Sequence, residues 1–254
     1  MADVVDAVIS ELAGRKVLVA GAGVTGRSVA DALTEAGAHV TVTDADAGRL
    51  GGLADTGATL VPALAEPPEG TDLVVTSPGW RPESPLLVAA AQAGIEVIGD
   101  VELAWRIGQR QARPPVWLAV TGTNGKTTTV GMLEAILKAA GVHAVACGNV
   151  GFAVLDAVRA GYHVLAVELS SFQLHWSSSL APRASVVLNV AEDHIDWHGD
   201  MAAYAAAKGR IHARSDVVIY NAQDATSVSV AVDHAGAEAK RVGFSLNSPR
   251  PYEV

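Results

Sequence analysis

Residues 116–133 read VWLAVTGTNGKTTTVGML, and this segment is the most informative about the fold of the part of the chain that contains it. The apolar run 116–120 is typical of a buried strand, and the residues from Lys126 onward have a helical pattern. A turn with Gly122 and Gly125 separates the two. Backbone N–H groups in such a turn surround phosphate oxygens, and the start of the helix attracts anions. The stretch therefore predicts a phosphate-binding loop.

Two side chains of this loop have separate predicted roles. Lys126 would reach the β- and γ-phosphates of a nucleotide, and the Thr127 hydroxyl would ligate Mg²⁺. The common spacing G-x-x-x-x-G-K-[ST] requires a glycine where this chain has Val120, so an ordinary turn between strand and helix remains the alternative. The residues predicted to bind the nucleotide are Gly122, Thr123, Asn124, Gly125, Lys126, Thr127 and Thr128.

Composition limits the class of protein. The chain has 254 residues and a net charge of −9, which argues against a general binder of nucleic acid or anionic membranes. Half of the residues are hydrophobic but only 5% are aromatic, as expected for strands that small-residue helices cover on both faces. The single cysteine fits a reducing compartment, and no apolar run is long enough to span a membrane. We expect a cytoplasmic α/β protein.

A second glycine motif lies near the start of the chain. Residues 21–26 read GAGVTG between a predicted strand at 16–20 and a helix, and Asp44 follows the next strand. This is the G-x-G-x-x-G fingerprint, which predicts a nucleotide-like ligand but does not show that the ligand is NAD. Residues 77–79, Ser-Pro-Gly, follow another strand, where open α/β sheets bind ligands. A plain turn is the alternative for that segment.

The two motifs predict two domains. Residues 109–115 read QRQARPP, and the prolines favour a linker. We predict a Rossmann-like, parallel-sheet domain over residues 1–111, a linker over 112–115 and a P-loop α/β ATPase domain over 116–254. The apolar spacing also predicts a helix over residues 3–12, and Asp100 is predicted to cap a helix that runs to about Gln109.

Several polar residues of the second domain interrupt apolar surroundings. Glu168 ends an otherwise apolar strand, so it needs a partner or a metal ion. His194 and His198 are four residues apart, a spacing that suits zinc on a helix, but no third ligand has a suitable spacing. Lys208 lies on a predicted helix over 201–213, where a lysine is ordinarily solvated.

Five segments together carry a resemblance to a known family. They are TGTNGKTTT from Thr121, GNVG from Gly148, ELSSFQL from Glu168, NVAEDH from Asn189 and YAAAKGR from Tyr204. In this order they resemble the Mur ligases, which form amide bonds with ATP in the synthesis of peptidoglycan precursors. Part of the first segment is shared with folylpolyglutamate synthases. ELSSFQL and GAGVTG resemble the family member that adds D-glutamate.

The resemblance implies a reaction. ATP would activate the carboxylate of UDP-N-acetylmuramoyl-L-alanine as an acyl phosphate, and the amine of D-glutamate would then displace the phosphate. It implies Lys126, Glu168, His194 and Lys208 as catalytic residues. It also implies two Mg²⁺ ions, held by Thr127, Glu168, His194 and Lys208, with Lys208 carbamylated so that it offers an anionic oxygen. Implied substrate contacts are Gly23, Val24, Thr25, Gly26, Asp44, Ser77, Pro78, Gly79, Asn149 and Ser170.

The chain is short for this family, whose members resemble three-domain proteins. We expect a fragment that lacks part of the central domain and the C-terminal domain with its D-glutamate contacts. Such a fragment is not expected to form the amide bond alone. The alternatives are another Mur or folylpolyglutamate-type ligase, or a nucleotide-binding module without catalysis.

Overall fold

The computed structural model describes residues 12–247. Two parallel β-sheets with helices between their strands make up this part of the chain, which confirms the predicted α/β class. None of its helices is both long and apolar enough to cross a bilayer. Apart from residue 12, the helix predicted over residues 3–12 lies outside the described residues.

The first sheet has the strand order β3-β2-β1-β4-β5, and every pairing in it is parallel. Its strands are β1 (Lys16–Ala20), β2 (His39–Thr43), β3 (Thr59–Leu60), β4 (Leu73–Thr76) and β5 (Glu96–Gly99). The helices are α1 (Val24–Glu35), α2 (Ala47–Gly51), α3 (Pro85–Gln92) and α4 (Asp100–Gln109). The direction of winding reverses between β1 and β4, and such a reversal opens a crevice at the carboxyl ends of the strands. Both predicted ligand-binding segments of this sheet follow those two strands.

The second sheet has the order β11-β10-β9-β6-β8-β7 and is also parallel throughout. Its strands are β6 (Val116–Thr121), β7 (Ala144–Gly148), β8 (Val164–Glu168), β9 (Ala184–Val187), β10 (Val217–Asn221) and β11 (Lys240–Phe244). The helices are α5 (Lys126–Ala139), α6 (Val154–Arg159), α7 (Ser171–His175), α8 (Ile195–His198), α9 (Met201–Gly209) and α10 (Ala225–His234), with a 3₁₀ turn at Arg210–His212. The loops after β6, β8 and β9 therefore meet at one edge.

The chain divides into two compact units. Residues Met1–Pro114 with Ala153–Gly161 form the first, and Pro115–Phe152 with Tyr162–Val254 form the second. The first division lies between two consecutive prolines, Pro114 and Pro115. Helix α6 belongs to the first unit, although the chain enters it from β7 and leaves it into β8 of the second sheet.

Some local predictions differ from the structure. The sequence predicts that Asp100 caps a helix, but the cap is Gly99, and Asp100 is a buried residue of the first turn. The helix predicted over 201–213 is α-helical only as far as Gly209. Gly209 lies so close to the ring of His234 that a Cβ on Gly209 would overlap that ring. Helices α7 and α8 were not predicted, because four or five residues are too short to show a helical period.

Candidate active site

The phosphate loop follows β6 and has the backbone that its glycines predict. Gly122 has φ +155° and Gly125 has φ +85°, and residues with a Cβ rarely adopt these backbone angles. A Cβ on Gly122 would lie 3.1 Å from the Cβ of Leu188, so the loop also passes close to the segment after β9. The first-turn N–H groups of α5 have no acceptor within the helix and are available to an anion.

Two lysines converge on this loop. Lys126 donates from Nζ to the carbonyl oxygens of Gly122 and Thr123, at 2.9 and 3.0 Å. Lys208 reaches the same Gly122 oxygen at 3.0 Å from helix α9. Because one carbonyl oxygen accepts from both side chains, it keeps the two lysine nitrogens beside the phosphate loop.

Lys208 is almost completely buried, with 2% of its surface exposed. Its Nζ lies 4.5 Å from the centroid of the Tyr204 ring. Burial, together with the positive charge of Lys126, lowers the pKa of Lys208 to about 7, although the nearby Asp193 acts in the opposite direction. A large fraction of Lys208 is therefore a neutral amine near neutral pH, so it is not the solvated lysine that its residue type suggests.

Glu168 and Thr127 are in direct contact. The Thr127 hydroxyl donates to Glu168 Oε2 at 2.8 Å, and Asn149 Nδ2 donates to Oε1 at 3.0 Å. Glu168 is 2% exposed, and within residues 12–247 no cationic side chain pairs with it. A buried carboxylate with only neutral partners, beside a hydroxyl at a phosphate loop, has the oxygen donors that Mg²⁺ prefers.

Gly148 places Asn149 against Glu168. It ends β7 with φ +119°, and a Cβ there would lie 2.1 Å from the Glu168 carbonyl oxygen. The Asn149 N–H donates to that same carbonyl at 2.9 Å. Only glycine permits this close approach, which brings the Asn149 side chain to the carboxylate.

His194 and His198 both neighbour the same aromatic ring. The Phe172 ring is centred 4.8 Å from the His194 ring and 5.6 Å from the His198 ring. His198 Nε2 shares a hydrogen bond of 2.9 Å with the Ser171 hydroxyl, and burial lowers its pKa to about 4. No cluster of three or more His, Cys, Asp or Glu residues suited to a metal occurs in residues 12–247.

His194 is exposed and has an unusual backbone. Its φ is +52°, and its Nε2 lies 3.4 Å from Asp193 Oδ2. Its ring centroid is 6.3 Å from that of Tyr204, whose ring also adjoins Lys208. His194 and Lys208 thus both neighbour Tyr204. In the described part of the chain, no hydrogen bond joins His194 to Lys208.

Ser170 caps helix α7. Its hydroxyl accepts from the Gln173 N–H at 3.2 Å, and Gln173 Oε1 accepts in return from the Ser170 N–H at 2.9 Å. This capping box fixes the turn directly after Glu168.

Sequence reasoning assigned no role to Asn189 or Tyr204. Asn189 makes three hydrogen bonds to the phosphate loop. The Tyr204 hydroxyl lies 3.2 Å from the Thr123 hydroxyl. The sequence position of Asn189, just after β9, could have indicated that it lies near the phosphate loop. The carboxyl ends of parallel strands meet at one edge of a sheet.

In the first unit, the fingerprint glycines allow tight packing. A Cβ on Gly26 would lie 1.9 Å from the Gly21 carbonyl oxygen, and one on Gly21, with φ +113°, would lie 2.4 Å from Ser77 Oγ. Among residues 12–247, no atom lies within 4 Å of the position that a Cβ on Gly23 would take. Thr25 and Ser77 join the two loops through their hydroxyls, 3.4 Å apart.

Asp44 holds the loops of the first unit in place. Its Oδ2 accepts from the Ala22 N–H at 2.8 Å, and its Oδ1 accepts from the Asp46 N–H at 2.9 Å. The carboxylate therefore fixes the fingerprint turn, which its sequence position alone did not indicate. Ser77, Pro78 and Gly79 follow β4, next to that turn, and the Ser77 N–H donates to the Ala20 carbonyl at 2.8 Å.

Two family models match the chain. The Mur ligase middle domain matches residues 120–253, and the MurD-like N-terminal domain of Mur ligases matches residues 15–99. The first alone covers more than half of the chain. The chain belongs to the Mur ligase family.

Individual Mur ligases support this assignment. The UDP-N-acetylmuramoylalanine–D-glutamate ligase of Thermobifida fusca is 54% identical, and the alignment covers 96% of this chain and 54% of that protein. The protein of the same name from Nocardia farcinica is 51% identical, over 96% of this chain and 52% of the relative. The chain thus spans about half the length of the curated relatives it matches.

A solved Mur ligase has the same fold. It is the UDP-N-acetylmuramate:L-alanyl-gamma-D-glutamyl-meso-diaminopimelate ligase from Neisseria meningitides, with a TM-score of 0.60 at 19% identity. The superposition covers 91% of this chain and 78% of that structure.

Proposed function

We propose that this chain is the ATP-binding and UDP-substrate-binding part of a ligase that joins D-glutamate to UDP-N-acetylmuramoyl-L-alanine. The observation that carries the proposal is the set of groups around one phosphate loop: Lys126, the contact between Thr127 and Glu168, and buried Lys208. The names of the relatives supply the substrate. In this reaction the γ-phosphoryl group moves to a carboxylate, so catalysis needs positioning and charge neutralisation.

The residues of the second unit have distinct roles in this proposal. Lys126 would leave its carbonyl partners and neutralise the charge of the β- and γ-phosphates. Thr127 and Glu168 would hold Mg²⁺, which supplies further neutralisation when bound. Gly122, Thr123, Asn124, Gly125 and Thr128 would complete the nucleotide contacts through the loop and the start of α5.

Lys208 would become a metal ligand after carbamylation. Its neutral amine would attack CO₂, forming an N–C bond and releasing one proton, and the carbamate oxygens would face the second Mg²⁺ together with His194. Burial that lowers the pKa of Lys208 to about 7 supports this step, because only the neutral amine reacts. The same burial argues against a lysine that is only a surface charge.

The first unit would bind the UDP-linked substrate. The open space beside Gly23 would admit the diphosphate, with Val24, Thr25 and Gly26 at the start of α1. Asp44, Ser77, Pro78 and Gly79 would contact the uridine, and we propose Asn149 and Ser170 as further substrate contacts. We assign residues 1–111 to this function, 112–115 to a linker and 116–254 to ATP binding, and we place the reaction in the cytoplasm.

Calorimetric titration of this chain tests the proposal. We expect binding of UDP-N-acetylmuramoyl-L-alanine and weaker or no binding of NADH. Preferential binding of NADH would overturn the substrate assignment. Incubation of the chain alone with UDP-N-acetylmuramoyl-L-alanine, ATP and D-glutamate should give no amide product, because the proposed activity needs the rest of the ligase.

A further inference from the structure

Asn189 holds the phosphate loop through three hydrogen bonds. Its side-chain oxygen accepts from the Asn124 N–H at 2.9 Å, and its side-chain nitrogen donates to the Asn124 carbonyl at 3.1 Å. Its own carbonyl accepts from the Thr123 N–H at 3.0 Å. Only one orientation of the Asn189 amide satisfies both side-chain bonds, so a single residue after β9 fixes two successive loop residues.

These contacts determine how the peptide between Asn124 and Gly125 is turned. In a trans peptide the C=O and N–H bonds point in opposite directions. Because the Asn124 carbonyl points to Asn189, the Gly125 N–H points away from it. Rotation of this peptide would exchange the two groups and turn a carbonyl oxygen to the side where the N–H stood. Gly125 permits such a rotation, because glycine adopts φ values of either sign.

We propose that Asn189 is a positioning residue that keeps the Asn124 carbonyl away from bound phosphate and leaves the Gly125 N–H available to it. A carbonyl oxygen turned toward a triphosphate would repel it, whereas an N–H group attracts it. The inference rests on the proposed function in one respect, namely that this loop binds a nucleotide triphosphate. Asn189 acts here through Asn124 and does not touch the reacting atoms.

Asn221 provides a matched control. It ends the neighbouring strand β10, and its side-chain nitrogen donates to the Leu188 carbonyl at 3.1 Å. Its side-chain oxygen accepts from the Gln223 N–H at 3.0 Å. The side chains of both asparagines therefore donate to a backbone carbonyl of a neighbouring loop and accept from a backbone N–H, but of the two only Asn189 bonds to the phosphate loop.

The first test compares Asn189→Leu with Asn221→Leu in this chain. The probes are ATP with Mg²⁺ and, separately, UDP-N-acetylmuramoyl-L-alanine, with the thermal unfolding midpoint measured for each variant. We expect Asn189→Leu to weaken ATP binding by about tenfold, the effect of losing roughly one charge-assisted contact. Binding of the UDP substrate should not change. Asn221→Leu should keep wild-type ATP affinity, with a similar midpoint.

Equal ATP affinity for wild type and Asn189→Leu would overturn the inference, as would equal losses in the two variants. If the wild-type chain itself does not bind ATP, that result contradicts the proposed function. It does not contradict the geometry of the loop. Amide hydrogen exchange in the free wild-type chain tests that geometry separately. We expect the Asn124 N–H to exchange about tenfold or more slowly than the Gly125 N–H, because only the first is bonded to Asn189. Equal exchange rates at Asn124 and Gly125 would overturn the inference.

Discussion

Lys126 and Lys208 donate to the same carbonyl oxygen, that of Gly122, at 2.9 and 3.0 Å. One lysine comes from the phosphate loop and the other from helix α9, so a single backbone oxygen joins the nucleotide site to the buried amine. The charge of Lys126 is one cause of the lowered pKa of Lys208, after burial. The two lysines are therefore electrostatically coupled.

Removal of the Lys126 charge should raise the pKa of Lys208. In Lys126→Met the amine stays buried but loses its cationic neighbour, so we expect a pKa above 7 that remains below the ordinary lysine value. The pH dependence of competitive acetylation at Lys208 measures this change. Lys138→Met, which removes an exposed lysine of helix α5 paired with Glu134, is the control and should have no effect. An unchanged Lys208 pKa in Lys126→Met would contradict the coupling.

Loss of Lys208 should strongly slow the proposed ligation when it is measured in a full-length ligase that includes this sequence. We expect Lys208→Ala to lower kcat by about a hundredfold or more, because it removes a proposed ligand of the second metal ion. A short carboxylate such as acetate should restore part of the activity, since it can replace the carbamate oxygens. Lys138→Ala should behave as wild type. Undiminished turnover in Lys208→Ala would disprove the carbamate assignment.

His212 should make the chain sensitive to acid. It is fully buried, its Nδ1 lies 2.7 Å from the Ser185 hydroxyl, and burial with the nearby His234 lowers its pKa to about 4. Between pH 6.5 and 4 the unfolded chain binds a proton that the folded chain does not, so stability falls as the pH falls.

Denaturant unfolding at pH 7 and pH 4 measures this effect. We expect wild type to lose about 2 kcal/mol more than His212→Asn over this interval, because the asparagine does not titrate. His39→Gln, at an exposed position, should lose as much as wild type. Equal losses in His212→Asn and wild type would contradict the assignment.

Asp100 should have the opposite pH dependence. It is buried at the start of α4, its Oδ1 has no hydrogen-bond partner in the described part of the chain, and burial raises its pKa to about 7. The folded chain retains this proton at pH values where the unfolded chain has lost it, so stability falls as the pH rises toward and through 7. We therefore compare the change in the free energy of unfolding that Asp100→Asn causes at pH 8 with the change it causes at pH 4. The change at pH 8 should be more stabilising by about 2 kcal/mol, because the asparagine does not titrate. A pH-independent effect would contradict this.

The sequence alone was sufficient to predict the α/β architecture with its two parallel sheets. Alternation of apolar strands with helices, and the glycine turns after Ala20 and Thr121, are local patterns that predicted both parallel sheets. The family resemblance implied Thr127 and Glu168 as ligands of the same ion, but the direct hydrogen bond between them joins segments that follow different strands and was not predicted. The error at Asp100 arose because its residue type favours capping, whereas the backbone at Gly99 makes the cap.

Contacts between distant segments could not be predicted in the same way. The bonds from Asn189 to Asn124 depend on how the loops after β6 and β9 meet, which no local pattern specifies. The burial of Lys208 likewise depends on the packing of α9, since a lysine on a helix is ordinarily solvated.

The Mg²⁺ dependence of ATP binding measures whether Glu168 holds Mg²⁺ beside the nucleotide at the phosphate loop. Calorimetry on this chain, with and without Mg²⁺, should show that Mg²⁺ strengthens ATP binding in wild type. We expect Glu168→Gln to lose about tenfold or more of that enhancement, because it removes the proposed carboxylate ligand. Glu134→Gln, on helix α5, should retain it. Full Mg²⁺ enhancement in Glu168→Gln would contradict the account.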